Sequence, residues 1–194
     1  SNYNSDDIKK IKDKLNLPEG KKIILYAPTW RDNSYNLKGY TFKLEVDFKK
    51  WQKILGTDYI VIFKPHYLIV NDFDLEAVKE FVYYIDPKED ISSLYLIADV
   101  LVTDYSSVFF DYAILKRPIY FFMYDLDTYR DELRGFYLDI YHDLPGDVIE
   151  SEDELIQKIF SEKFDYNRLQ IFNEQFNNHE DGNASKRVIE ILLK

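Results

Sequence analysis

Five short apolar runs recur along the chain, each bounded by turn-forming residues, with stretches of helical spacing between most of them. Residues 22–27, 59–63 and 100–102 are apolar at nearly every position. They lack the alternation of a half-exposed strand and so read as strands covered on both faces. Residues 82–85 and 118–122 read as two further strands. Ser5 is placed to cap a first helix, whose stripe is Ile8, Ile11 and Leu15 and which Pro18 and Gly20 end. Residues 48–55 put Trp51 and Leu55 on one side of a helix, with Gly56 as its terminator. Residues 91–97 make one or two turns, and 108–115 form a helix that is apolar almost all round. Ser151 and Glu154 have capping-box spacing ahead of Leu155, Ile156, Ile159 and Phe160, and two more helices are predicted at 167–177 and 184–193. Residues 31–40 read as a polar loop, while 124–147, which contains Arg130, Arg134 and His142, follows no assignable period.

Strands alternating with helices predict an α/β fold: a Rossmann-like, mostly parallel sheet with helices on both faces, as one domain over 1–194. In such sheets ligands gather beyond the carboxyl ends of the strands. Three of those ends carry polar motifs here: Thr29-Trp30-Arg31, Lys64-Pro65-His66 and Thr103 to Ser107. The last is a strand–turn–helix unit whose free backbone N–H groups, helix dipole and two hydroxyls suit an anion, above all a phosphate. Ser106 and Ser107 serve equally well as helix caps, because capping and phosphate binding use the same geometry. Pro65 fixes the backbone ahead of His66, so the imidazole is aimed; it is suited to donate to a phosphate or to move a proton, or else it is a surface loop histidine. Asp104 is either a turn former or an active-site carboxylate. Arg31 and Arg134 can grip a phosphate with paired hydrogen bonds, or form surface ion pairs. Around Gly182 the loop that opens the last helix is a candidate anion nest, with Lys186 and Arg187 placed against the helix dipole.

Charge and composition narrow the function. The formal net charge of −10 argues against a nucleic-acid partner, so any phosphate must be held by a local cluster of donors. No cysteine is present, and the three histidines are scattered without a ligand spacing, so no metal is expected. A Walker loop, a Gly-x-Gly-x-x-Gly fingerprint and a Gly-x-Ser-x-Gly elbow are all missing, which removes ATPase, dinucleotide and serine-nucleophile readings. No apolar run approaches 20 residues, so no transmembrane segment is expected. The abrupt start in a polar helix points to a chain cut from something longer.

Taken together, Tyr26-Ala27-Pro28-Thr29-Trp30-Arg31, Phe63-Lys64-Pro65-His66, Thr103-Asp104-Tyr105-Ser106-Ser107 with Phe110-Asp111, Arg134-Gly135-Phe136-Tyr137 and Asp181-Gly182-Asn183-Ala184-Ser185-Lys186-Arg187 resemble, in order and over nearly the whole chain, the CDP-glycerol-dependent glycerophosphotransferases of teichoic acid synthesis. CDP-ribitol-dependent enzymes are similar in the same motifs. The resemblance implies the C-terminal, donor-binding half of a GT-B enzyme, with no counterpart here of the family's N-terminal acceptor half and its His-Gly pair. It implies transfer of glycerol phosphate from CDP-glycerol to a lipid-linked polyol-phosphate acceptor with loss of CMP, no cofactor and no metal. The full-length protein would act in the cytoplasm, peripherally at the inner face of the plasma membrane. In that setting His66 is the expected catalytic group, and Arg31, Asp104, Ser106, Ser107, Arg134, Gly182 and Arg187 are the expected donor-binding set. A nucleotide-sugar transferase or epimerase of GT-B shape and a non-catalytic donor-binding module stand as alternatives.

Overall fold

The computed structural model describes residues 4–31, 35–36, 39–40, 43–69, 73–86, 88–133 and 135–193. Its elements run α1 (Ser5–Lys14), β1 (Lys22–Ala27), the pair β2 (Tyr35–Asn36) and β3 (Gly39–Tyr40), α2 (Phe48–Leu55), β4 (Tyr59–Phe63), β5 (Val82–Tyr84), α3 (Ile91–Ile97) and β6 (Val100–Thr103). There follow α4 (Val108–Ala113), β7 (Ile119–Phe122), α5 (Leu126–Thr128), β8 (Val148–Ile149), α6 (Glu152–Phe160), α7 (Tyr166–Phe176) and α8 (Ala184–Leu192).

Six strands form one sheet in the order β5-β4-β1-β6-β7-β8, and every pairing is parallel. Counting only these strands, the order is 3-2-1-4-5-6, the doubly wound arrangement whose direction of winding reverses between β1 and β6. Apart from Lys22 and Thr103 at the ends of β1 and β6, the strands that pair at the centre of the sheet are apolar because each face meets its own core. Ile23, Leu25, Ile60, Ile62, Leu101 and Phe121 point to a core shared with α1, α3, α4 and α7. Ile24, Tyr26, Val61, Phe63, Val102 and Phe122 point to the opposite core, under α2 and α6. The Rossmann-like fold expected from the alternating pattern is the one observed.

The helices on the second face are tied by one carboxylate. Trp51 is fully buried, and its indole N–H donates to Glu152 Oε1 over 3.0 Å. The same oxygen accepts the backbone N–H of Asp47, the residue that caps α2 through its side chain, and Lys50 reaches the other oxygen at 3.1 Å. Glu152 thus links the start of α6 to the start of α2.

Three local expectations are corrected, and the stretch without an assignable period takes a definite form. Asn4, not Ser5, caps α1, its Oδ1 accepting the Asp7 N–H at 2.9 Å. Ser151 holds the N-cap position of α6 but makes no capping bond with its side chain, so the capping box does not close. Part of the supposed loop at 31–40 pairs as the antiparallel β2–β3 ribbon, Tyr35 opposite Tyr40 and Asn36 opposite Gly39. The 124–147 stretch is not featureless: it holds α5 and a wide helical turn at Tyr129–Leu133, and it leads into the edge strand β8. At Gly56 the backbone is right-handed (φ −65°); glycine is required there because a Cβ would lie 2.4 Å from the Gln52 carbonyl oxygen.

Trp51→Ala removes the largest side chain of the second core and one of the three donors to Glu152. It is expected to lower unfolding stability by about 3–5 kcal/mol, read by urea denaturation.

Candidate functional site

The site begins with the two strands that flank the reversal. β1 ends in Ala27-Pro28-Thr29, and β6 ends in Thr103-Asp104. Thr103 Oγ1 donates to the Ala27 carbonyl at 2.8 Å, which draws the two strand ends together. Beyond it, Asp104 is 2 % exposed and fully used. Its Oδ1 accepts the N–H groups of Thr29 (2.9 Å) and Tyr105 (2.7 Å), and its Oδ2 accepts Nη1 of Arg31 (2.9 Å). Burial pushes the Asp104 carboxyl upward in pKa; Arg31 and the two backbone donors pull against that shift.

Arg31 is 6 % exposed, and all five of its N–H donors are committed. Nε and Nη2 grip Asp125 at 2.6 and 3.1 Å, Nη1 donates to Asp104 and to the Thr29 carbonyl, and Nη2 also reaches the Tyr124 hydroxyl. The guanidinium lies over the rings of Tyr105, Tyr124 and Tyr129 at 4.9–5.6 Å. Tyr105 stacks on Tyr129 with centroids 3.5 Å apart and donates its hydroxyl to Asp125 at 2.9 Å. Arg31 and Asp104, both expected in the donor-binding set, spend their charges here on each other and on Asp125, and they build the rim.

His66 and Ser106 do come together. Both line a cavity of about 290 Å³ at the carboxyl ends of β1, β4 and β6, with Pro28, Lys64, Glu89 and Asp90 among its other walls. The imidazole is half-buried, with its ring near those of Tyr67 (4.4 Å) and Trp30 (6.2 Å). Its Nδ1 accepts the Leu68 backbone N–H at 3.3 Å, which leaves Nε2 as the nitrogen that carries the proton of the neutral ring. Burial and then the nearby Lys64 ammonium hold His66 below the usual histidine range. Lys64 is 7 % exposed; burial lowers its pKa, while Asp86, Asp90 and Glu89 oppose that shift. Lys64 is the site residue that sequence reasoning passed over. Its one signal was its position, two residues from His66 at a strand end.

Ser106 Oγ accepts the Val108 N–H at 3.4 Å, and Ser107, though at the N-cap of α4, makes no capping bond with its hydroxyl. Ser107 instead lines a second cavity of about 350 Å³, walled by Tyr105, Phe109, Phe110, Tyr129 and Phe136. Arg187 pairs with Asp181 at 2.7 and 2.8 Å and donates to the His179 carbonyl, so its charge is held inside its own loop. Gly182 takes a left-handed φ of 79° in that loop. Among the described residues, neither Gly182 nor Arg187 lines the two cavities. Arg134 lies outside the described residues.

With this geometry in view, comparison with known proteins is decisive. The family model for CDP-Glycerol:Poly(glycerophosphate) glycerophosphotransferase matches residues 1–194. The chain belongs to that glycerophosphotransferase family. It is 43 % identical over 196 residues to the teichoic acid poly(glycerol phosphate) polymerase of Bacillus subtilis strain 168, covering 98 % of this chain and 26 % of the relative. To the polymerase of the same description from Bacillus spizizenii it is 45 % identical over 193 residues, 97 % of this chain and 49 % of the relative. The chain therefore spans a quarter to a half of the length of these relatives. Among solved structures, the wall teichoic acid polymerase TagF superposes with a TM-score of 0.84 at 38 % identity, over 96 % of this chain and 46 % of that one. A variant of TagF soaked with CDPG superposes with a TM-score of 0.83 at 39 % identity, over 97 % of this chain and 47 % of that one.

In this glycerophosphotransferase chain, Arg31→Ala would leave Asp104 charged, buried and without its cation. The expected loss is about 3–5 kcal/mol of unfolding stability, measured by denaturant titration.

Proposed function

We propose that this chain supplies the donor half of a glycerophosphotransferase: it binds CDP-glycerol so that a terminal hydroxyl of a growing polyol-phosphate chain attacks the β-phosphorus and CMP departs. The observation that carries this reading is that His66 and Ser106, from two different strand ends, line one cavity beside the reversal point of a doubly wound sheet. Ser106 and Ser107, neighbours in the chain, each line one of the two cavities, and this reading puts the diphosphate beside both. Ser106, Ser107 and the His66 Nε2 are then its donors. The aromatic cavity lined by Ser107 suits the nucleoside, because a base has a face to stack and Tyr105, Tyr129 and Phe136 already stack on one another.

Phosphoryl transfer of this kind needs no protein nucleophile; donors aimed at the developing charge supply the stabilisation. The acceptor oxygen forms the new bond to the β-phosphorus, the bridging oxygen keeps the electron pair of the broken bond, and one proton is released. The lipid-linked acceptor and the peripheral position at the inner face of the plasma membrane belong to the whole parent protein in this reading. Family membership supports them, and among the described residues no helix is long and apolar enough to cross a bilayer.

Calorimetric titration of the chain with CDP-glycerol, CDP-ribitol and UDP-sugars tests the reading. CDP-glycerol is expected to bind tightest, and Ser106→Ala to weaken it about tenfold, the effect of one hydrogen bond to a charged group. Failure of CDP-glycerol to bind would refute it. In the full-length parent, His66→Ala should cut turnover at least about a hundredfold; near-normal turnover would remove His66 from the chemistry.

A further inference from the structure

Two groups able to carry positive charge stand at one strand end, Lys64 and His66, separated by Pro65 and lining the same cavity. A ligand bound in that cavity would therefore lie beside both residues. They are not equivalent. Burial lowers the pKa of Lys64, and the charges of Asp86, Asp90 and Glu89 oppose that shift and favour the ammonium. His66 is arranged against a second proton. Its Nδ1 lone pair accepts the Leu68 N–H, so a proton added at Nδ1 would break that bond. Burial and the neighbouring ammonium act in the same direction. The rings of Tyr67, from its own loop, and Trp30, beyond β1, lie nearest the imidazole, and the charged and polar groups that share its cavity are Lys64 from the end of β4, Glu89 and Asp90 ahead of α3, and Ser106 ahead of α4. The two carboxylates also face Lys64, whose charge they balance.

We infer that the site divides two tasks between these residues: Lys64 is the cation that balances the donor diphosphate, and His66 remains a neutral imidazole that donates its Nε2–H to a phosphate oxygen. This rests on the donor-binding reading above. It is chemically sufficient because the leaving group is a phosphate monoester, whose second pKa is about 6, so near pH 7 it departs as an anion without receiving a proton. The acceptor oxygen–phosphorus bond forms and the bridging phosphorus–oxygen bond breaks. The electron pair stays on the CMP oxygen against the His66 hydrogen bond and the Lys64 charge. The acceptor hydroxyl's proton leaves to solvent, and none is transferred from His66.

Long-range proton–nitrogen NMR spectra of the 15N-labelled chain test the protonation state directly, with the His66 ring signals assigned by their loss in His66→Asn. At pH 7, free and saturated with CDP-glycerol, the ring is expected to show one protonated nitrogen, Nε2. Two protonated nitrogens in the complex, or a proton on Nδ1, would overturn the inference. The dissociation constant for CDP-glycerol should change less than about threefold from pH 6.5 to 8.0; weakening of about tenfold per pH unit, as loss of a required imidazolium would give, would also overturn it. Lys64→Met is expected to weaken binding at least about tenfold and Lys64→Arg to stay within about threefold of the parent. Thermal melting verifies that each variant is folded, and the spectra of the unsubstituted chain stand whatever the variants do. If CDP-glycerol binds but Lys64→Met binds it equally well, this inference falls and the donor-binding reading survives. If the unsubstituted chain does not bind CDP-glycerol, both fall.

Discussion

The rim of this sheet is organised by one buried ion pair. Asp104, at the end of β6, receives two backbone N–H groups and the Arg31 guanidinium, and Arg31 in turn binds Asp125, 94 residues further along the chain. Three loops that have no regular hydrogen bonding of their own are thereby given fixed positions. A buried pair of this kind adds little net stability, because desolvating two ions offsets most of their attraction. Its effect is geometric. With all five donors of Arg31 satisfied and both oxygens of Asp104 accepting, the Thr29, Tyr105 and Tyr124–Asp125 backbones have one arrangement that leaves no charge unpaired. Ser106 and Ser107 follow directly from that fixed point.

The same accounting explains how an acidic protein can serve a diphosphate. A chain of net charge −10 repels an anion at long range, but the Debye length in physiological salt is about 8 Å, so carboxylates on the far surface contribute little at the rim. What matters is the charge inside that radius in a poorly hydrated cavity. There Arg31 is paired with Asp104 and Asp125, and Lys64 lines the cavity with His66 and Ser106. The exposed carboxylates at 86, 89 and 90 lie within its field, and a diphosphate would compete with them for it.

Much of the fold was legible because its signals are local. Strands buried on both faces must be apolar at consecutive positions, so β1 and β4 fell at the predicted bounds, as did α2 and α3 with their one-sided stripes. Asn4 and Ser5 are both good caps, and only the backbone conformation decides which side chain reaches the Asp7 N–H. β8 is two residues long, too short for any period to show. At the site, the convergence of His66 and Ser106 was legible through the rule for strand ends. The role of Arg31 was not. Its partner Asp125 lies in a stretch without periodicity, and nothing in the sequence distinguishes an arginine that grips a ligand from one that braces a loop. Lys64 was hidden for the converse reason: a lysine beside a strand reads as solvated, and its burial is a product of tertiary packing.

Among the described residues, the buried polar and charged side chains are Arg31, Lys64, Thr103 and Asp104. All four sit at the carboxyl ends of β1, β4 and β6. Removing such groups from water is unfavourable wherever it occurs, and the core offers apolar residues at every other buried position. Placing them at one rim concentrates the cost where the winding of the sheet reverses and leaves a crevice that no helix fills. Three of the four answer one another: Thr103 ties β6 to β1, and Arg31 and Asp104 close the loops above. Lys64 stands on the wall of the cavity that His66 and Ser106 also line, with the exposed carboxylates of Asp86, Glu89 and Asp90 in its field. A buried cation on the wall of a cavity is stabilised further by an anion that enters that cavity, so the cost of burying Lys64 and the binding of a diphosphate would offset each other at this rim.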